Sequence, residues 1–508
     1  MPQALIASIT QPSGPDLRPG AERRRLGWLD ALRGIGALCV VFEHVNAHEL
    51  RGARPAIVPW FSPGLYGVMV FFLVSGYIVP ASLERRGSVR GFWVGRLFRL
   101  YPLMLVAVVL KISLYQFHVG AVPGDAMDHP GLAALAHALM LQDLLGVSSV
   151  VNVLWTLSYE MVFYLLLTLL FVVRLHRNSA GFAVGFAVIG LAFGGVLPEA
   201  GLSRGAWGVK AVVVVAAVAM VAGLAGAVSG HSRSRVAGAA LLGGTAMALL
   251  LFNGRARAWV GCTILAAMFT GTVAYRAERR QISRAKAVAA ACAVCALALV
   301  AGIWHIAERN SGYQMLLYER QWAFSIVLAG ATFACGIACR HRRIPPVLAW
   351  LGAISYSVYL IHPLLLALFL RLPWADGTAG LTAQVTLTSA FVAALLCCCS
   401  LTYRLVESPM QRAGRRIAAW LDARLGPDLP GTRSAPTYLT PGEGSPSLTS
   451  LTGPARGCTP SPGNTCHAAR ASARPAVSGS ATRSAGPTQR ASAASSPARS
   501  TPPITAAS

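Results

Sequence analysis

The sequence predicts an all-α fold, a polytopic bundle of transmembrane helices followed by a polar tail. Three observations carry that expectation. Of the 508 residues 55% are hydrophobic and only 12% charged, about half the charged share of an ordinary soluble domain. The apolar residues gather in runs of roughly 17 to 23, the length a helix needs to cross a hydrocarbon core of about 30 Å. The segments between the runs are short and rich in arginine, the composition of connections at a membrane surface.

Taken in order, residues 1–28 form a polar segment carrying Arg23, Arg24 and Arg25. It lacks the charged, apolar and cleavable regions of a signal peptide, so the first apolar run is expected to be retained as a helix. Twelve spans follow, near 30–48, 64–82, 98–117, 153–173, 181–197, 209–228, 236–252, 258–275, 287–306, 322–339, 350–371 and 382–402. With the N-terminus inside the cell, alternate segments hold 25 basic residues on the inner side and 8 on the outer. That asymmetry predicts a multi-pass protein of the cell membrane with both termini cytoplasmic. The middle, 181–275, has Gly/Ala-rich runs and very short loops, and the exact number of spans is least defined there. Residues 29–409 then make one membrane domain. Residues 410–426 place Ile417, Trp420, Leu421 and Leu425 opposite Arg412, Arg415 and Arg416, the pattern of a basic amphipathic helix on the inner leaflet. From 427 to 508 the chain is Ser, Thr, Pro, Ala, Gly and Arg with few large apolar residues, which predicts a disordered tail.

Net charge is +25, almost all of it from arginine, since the lysines are only Lys111, Lys210 and Lys286. The arginines sit at the ends of apolar runs rather than on a soluble face, which argues against nucleic acid as a partner and for contact with anionic lipid. Nine of the eleven cysteines fall inside apolar runs and read as small packing residues, the Cys292-x-x-Cys295 pair included. No spacing of ligands argues for a metal.

Ionisable groups inside spans are costly and therefore informative. Arg33 and His44 are eleven residues apart on the first span, which returns to nearly the same helical face about 16 Å along the axis. His48 extends that face, and Gly34 and Gly36 permit close helix contact. A snorkelling arginine and an interhelical histidine hydrogen bond are the plainer readings of each residue alone. Glu43 points away from His44 and is expected to pair with another helix. The stretch Gly67 to Tyr77 is built for tight packing, with a polar notch at Ser75 and Tyr77. Arg96 and Arg99, one turn apart, can converge on one anionic ligand or act as an interfacial anchor. Glu160 follows Trp155 into the fourth span, at the depth of His44, with Tyr159 and Tyr164 in reach as hydrogen-bond partners. Ser355, Tyr359 and His362 line one face of the eleventh span before Pro363, as a polar stripe or as a hydrogen-bonded kink.

Together these stretches resemble the bacterial integral-membrane acyltransferase family, type 3. The similarity rests on Leu29-Asp-Ala-Leu-Arg-Gly through His44, Gly67 to Tyr77, Arg96-x-x-Arg99, Trp155 to Tyr164, Ser355 to Pro363 and Glu407-Ser-Pro409, in that order. The resemblance implies transfer of an acyl group, commonly acetyl from acetyl-CoA, to a hydroxyl of a surface polysaccharide, peptidoglycan or a small molecule such as a macrolide. It maps functional residues onto Arg33, His44, Arg96 and Arg99, and places Glu160 and Tyr359 in family motifs. The tail lacks the length and patterns of the appended esterase-like domain that some members carry, and the span count exceeds the family's usual one.

The expected machinery is thus His44 and Glu160 as catalytic groups, with Arg33, Arg96, Arg99, Tyr359, Ser355 and His362 binding substrate. No cofactor is expected to be held tightly; acyl-CoA is the donor, a hydroxylated sugar or envelope glycan the acceptor, and the bilayer the remaining partner. A transporter or flippase is the rival expectation, since many spans with intramembrane charges also describe that class. An acceptor that is a secondary metabolite is the rival within the same chemistry.

Overall fold

The computed structural model describes residues 19–48, 59–204, 208–372 and 380–426, without the side chains of 19–26, 47, 48 and 381. Most of the N-terminal segment, the tail from 427 and the side chain of His48 lie outside the described residues.

All twelve expected spans are helices. They are α1 (Pro19–His48), α2 (Pro63–Arg86), α3 (Val89–Gln116), α4 (Trp155–Val172), α5 (Ser179–Phe193), α6 (Gly208–Ala227), α7 (Ser232–Phe252), α8 (Ala258–Glu278), α9 (Arg284–Ala307) and α10 (Gly312–Ala338), then a broken pair, α11 (Pro346–Ala353) with α12 (Ser355–Phe369), and α13 (Leu381–Thr402). Nine described helices are long and apolar enough to cross a membrane, and the α11–α12 pair, bent by 65°, makes a tenth. The other two depart from the pattern for visible reasons. Helix α1 carries Asp30, Arg33 and Glu43 within its apolar stretch, and α5 has 15 residues, about 23 Å of rise against a core of about 30 Å.

Local chemistry fixes the ends. Ser62 caps α2 by accepting the Leu65 amide at 3.2 Å, Pro63 occupies the first turn, and Gly87 closes the helix with φ 61°, the left-handed conformation that glycine adopts at least cost. Glu43 reaches the same helix start, accepting the Gly64 amide at 3.0 Å and the Ser62 hydroxyl at 3.3 Å. Its partner is therefore a helix N-terminus, where a carboxylate is favoured.

Close packing follows the glycines singled out in the sequence. Helices α1 and α2 cross where Gly36 meets Gly67, and a methyl on Gly67 would run into the Gly36 carbonyl. Likewise α2 meets α8 at Gly76 and Gly271, each lying against the other helix's backbone. Backbone contact of this kind draws the polar residues of three helices into one interior.

Three features differ from the sequence expectation. Helix α3 begins at Val89 rather than 98, so Arg96 lies two turns inside it, because Ser88 supplies a cap upstream through the Gly91 amide at 2.9 Å. The segment 117–154 is no open loop. It forms short helices at Gly124–Asp128 and Pro130–Ala138 and two 3-10 turns, and Leu141, Leu144, Leu145, Val151 and Leu154 are fully buried. Tyr101 of α3 donates to the Ala138 carbonyl at 2.6 Å, and Asn253, the C-cap of α7, to that of Leu144 at 2.9 Å. Finally, α13 passes without a break through a π-turn, Tyr403–Glu407, into α14 (Ser408–Leu425). Helix α14 covers most of the stretch 410–426. It packs Gly414 against Phe98 of α3 and ties Asp422 to Arg90 at 2.7 Å, leaving Ile417, Trp420 and Leu425 exposed.

Candidate active site

A column of polar side chains runs through the interior made by α1, α2, α3, α4 and α12. Its first level is a cluster of arginines. Arg33 of α1 lies 3.8 Å from Asp30 and interacts electrostatically with Arg99, Glu407 and Glu160. Arg96 of α3 is 7% exposed, and its guanidinium stands 5.3 Å from the ring of Tyr164 and 5.4 Å from that of Phe92. Such stacking suits the flat, weakly hydrated guanidinium. Three like charges within a membrane would be untenable alone, each costing about 2.5–3.5 kcal/mol on insertion scales. The carboxylates Asp30, Glu160 and Glu407 offset them.

Glu160 is the hub of the second level. It accepts from Tyr164 at 2.5 Å and from Ser75 of α2 at 3.3 Å, and it faces both Arg33 and Arg96. Glu407, 3% exposed, accepts from Ser357 of α12. Its position is set by the π-turn that widens the helix there; such turns are frequent at functional sites. Above Glu160, the Tyr359 hydroxyl lies 2.9 Å from Thr156 and 3.0 Å from the Val153 carbonyl.

The third level pairs two histidines. His44 Nδ1 is 2.9 Å from His362 Nε2, and His362 Nδ1 is 3.0 Å from the carbonyl of Val358. A carbonyl can only accept, so His362 carries its proton on Nδ1 and presents the lone pair of Nε2 to His44. His44 then donates from Nδ1, which places its own lone pair on Nε2. A neutral imidazole in that tautomer is the one a proton acceptor needs.

The structure therefore gathers Arg33, Arg96, Arg99 and Glu160 at one end of the column and His44, His362 and Tyr359 at the other. Glu160 and His44 are not at one depth, contrary to the sequence expectation. Thr156, one turn before Glu160, is level with Tyr359, and His362 is three residues further along α12, so the two groups stand about 10 Å apart along the axis. The segment 117–154 packs at the start of α4, where Trp155 is partly buried against the core. Ser355 stays apart from the column: its hydroxyl donates to the Gly352 carbonyl at 2.8 Å, at the break between α11 and α12. Of the two tyrosines expected beside Glu160, Tyr164 bonds it, whereas Tyr159 bonds Asp143. Asp30, Ser357 and Glu407 join the site without having been singled out as site residues. For Glu407 the only signal was its place in the Glu-Ser-Pro stretch.

Comparison with known proteins gives this geometry a context. Residues 26–403 match the acyltransferase domain family (type 3), which covers most of the chain and every residue of the column except Glu407. The chain belongs to that family. Similar proteins include "Putative peptidoglycan O-acetyltransferase YrhL" of Bacillus subtilis strain 168, 29% identical over 167 residues, which is 30% of this chain and 25% of that protein. Nodulation protein 10 of Rhizobium leguminosarum bv. viciae is 28% identical over 179 residues, 32% of this chain and 48% of the relative. The O-acetyltransferase OatA of Staphylococcus aureus strain NCTC 8325 is 30% identical over 173 residues, 30% of this chain and 26% of the relative. The matches thus span between about a quarter and a half of these relatives' length. No solved structure matches this chain.

Proposed function

We propose that the protein is a membrane O-acyltransferase that moves an acyl group, acetyl in the simplest case, from acyl-CoA to a hydroxyl of a cell-envelope carbohydrate. The observation that carries the reading is the column itself: a cluster of arginines joined, inside one bundle, to a pair of hydrogen-bonded histidines. The relatives named as O-acetyltransferases support the reaction class. A secondary-metabolite hydroxyl is the alternative acceptor.

In this reading the arginine end faces the cytoplasm. Arg96 and Arg99, with Arg33 behind them, hold donor phosphates through charge-assisted hydrogen bonds. The donor's extended arm follows α1 for about 16 Å and brings its thioester to His44. The acceptor hydroxyl gives its proton to His44 Nε2 as its oxygen bonds to the thioester carbonyl carbon. The carbon–sulfur bond then breaks, and the departing thiolate takes the proton back from the imidazolium, leaving ester and free thiol. His362 holds the His44 ring throughout, and Tyr359 lines the path between the two ends. Glu160 balances the arginine charge beneath the path and orients Arg96 through Tyr164.

Membranes containing the protein, incubated with acetyl-CoA and envelope extract, test this by thiol release together with label transfer. Turnover without an ion gradient supports a transferase, and its dependence on Arg96 and Arg99 supports the donor site. Transport without thiol release would select the transporter reading instead.

A further inference from the structure

A second site lies on the far side of α2 from the column. A cavity of about 500 Å³ opens between α8, α9 and α10. Along α9 it runs from Arg284 to Ala298 and along α8 from Thr263 to Glu278, each a rise of about 21–23 Å. Its walls are almost wholly apolar. It exists because the positions of α8 and α9 that face it are small, Ala267, Ala274, Ala287 and Ala291 among them, while Leu73, Val294 and Phe333 bound it. Ridges that would fill the groove are missing.

The mouth of this groove is chemically different. Arg280 and Arg284 line both the groove and an adjoining vestibule of about 570 Å³, whose remaining walls include Gln281 and Ser283. Neither arginine has an acidic partner among the described residues. Arg280 also adopts φ 56° at the end of α8, a left-handed conformation usually given to glycine and strained for arginine. Arg340 at the same mouth is already engaged, by Glu278 at 4.0 Å and the Ile337 carbonyl at 2.6 Å, and Tyr77 donates to Glu278. Two cations without carboxylates therefore stand where a long apolar groove reaches the bundle end.

We infer that this groove binds an anionic glycerophospholipid of the surrounding bilayer, one acyl chain lying along α9 and the phosphate held by Arg280 and Arg284. The dimensions fit that occupant. One leaflet contributes about half of a 30 Å hydrocarbon core, so an acyl chain entering from its own headgroup level is accommodated within the groove. The charge selects the head: two arginines at a membrane surface favour an anionic lipid over a zwitterionic one by roughly tenfold or more. The site shares no residue with the polar column and does not depend on the proposed reaction. It touches α2 at Met69 and Leu73, the helix that carries Ser75 to Glu160, so its occupancy would brace the helix from behind.

Native mass spectrometry of the purified full chain, stripped of lipid and titrated with phosphatidylglycerol or phosphatidylcholine, tests the inference. Phosphatidylglycerol should be retained about tenfold more tightly, Arg280→Gln with Arg284→Gln should bring the two lipids close to parity, and free glycerol phosphate should not be retained. A phosphatidylglycerol carrying a diazirine in its acyl chain should crosslink the wild type between Val288 and Ala298, a readout that needs no variant. Equal retention of both lipids, retention unaffected by losing both arginines, or label scattered over unrelated helices would overturn it. Retention of glycerol phosphate as tight as that of the lipid would assign the mouth to a soluble phosphate instead.

Discussion

At the scale of single residues, the account turns on which proton His362 carries. Its Nδ1 is committed to the Val358 carbonyl, so in the proposed mechanism it serves His44 as an acceptor and acts as a positioning residue. His362→Ala should lower kcat substantially while leaving the donor KM near its wild-type value, whereas His362→Asn, which can still accept through its amide oxygen, should recover part of the loss. Equal loss in both variants, or a change confined to KM, would contradict that role. Glu160 acts differently, by charge. Removing one partner of a charge cluster leaves the others uncompensated, so Glu160→Ala, at a half-buried position, should reduce the yield of folded protein, read by size-exclusion profile. Glu160→Gln keeps the acceptor oxygen for Tyr164 and Ser75 and should fold, with weakened donor binding as Arg33 and Arg96 lose their counter-charge. The sequence made Arg33 and His44 legible as one face because helical periodicity is local. It could not show His362 as the partner of His44, since 318 residues separate them.

At the scale of elements, helix contacts and the segment 117–154 each allow a test. Val in place of Gly76 would force the α2 and α8 backbones apart and should destabilise the protein by more than the usual 1–3 kcal/mol of overpacking. The same change at Gly185, where an added side chain meets open space, should be tolerated; matched thermal stabilities of the two variants would refute the packing argument. In the buried segment, His137 accepts the Val150 amide through Nε2 at 3.1 Å and lies 2.8 Å from the Ala133 carbonyl through Nδ1. Burial lowers its pKa below the usual histidine value, so its contribution to stability is complete above about pH 6.5 and fades as the pH falls through the folded value. Nearby Asp143 runs the other way. Burial pushes it up to about 6, so its contribution is present at low pH and is lost as the pH rises through that value. Protection of the Val150 amide, corrected for intrinsic exchange, should therefore fall on acidification in the wild type relative to His137→Gln; identical profiles would refute the assignment. Helix existence was legible throughout because runs of about 20 apolar residues leave little choice in lipid. The fold of 117–154 was not, since its hydrophobic residues lie in short pieces whose burial depends on α3 and α7.

At the scale of the whole molecule, charges that lie far apart in the sequence are brought to one column. Arg33, Arg96, Arg99, Glu160 and Glu407 come from four different parts of the chain, and only the tertiary fold makes them neighbours. In the proposed mechanism, the separation of the arginine level from the histidine level divides donor binding from proton transfer. Both levels were foreseeable from the charges, but the depth of Glu160 was not, because it depends on how α4 packs in the bundle. The central claim is that His44 is the base for acyl transfer at the end of this column. Thiol release from acetyl-CoA by membranes containing the wild type and His44→Ala, with insertion of both verified, tests it most directly. A loss of roughly 10²–10⁴-fold is expected in the variant, with its donor binding retained; wild-type turnover in the inserted variant would overturn the role of His44.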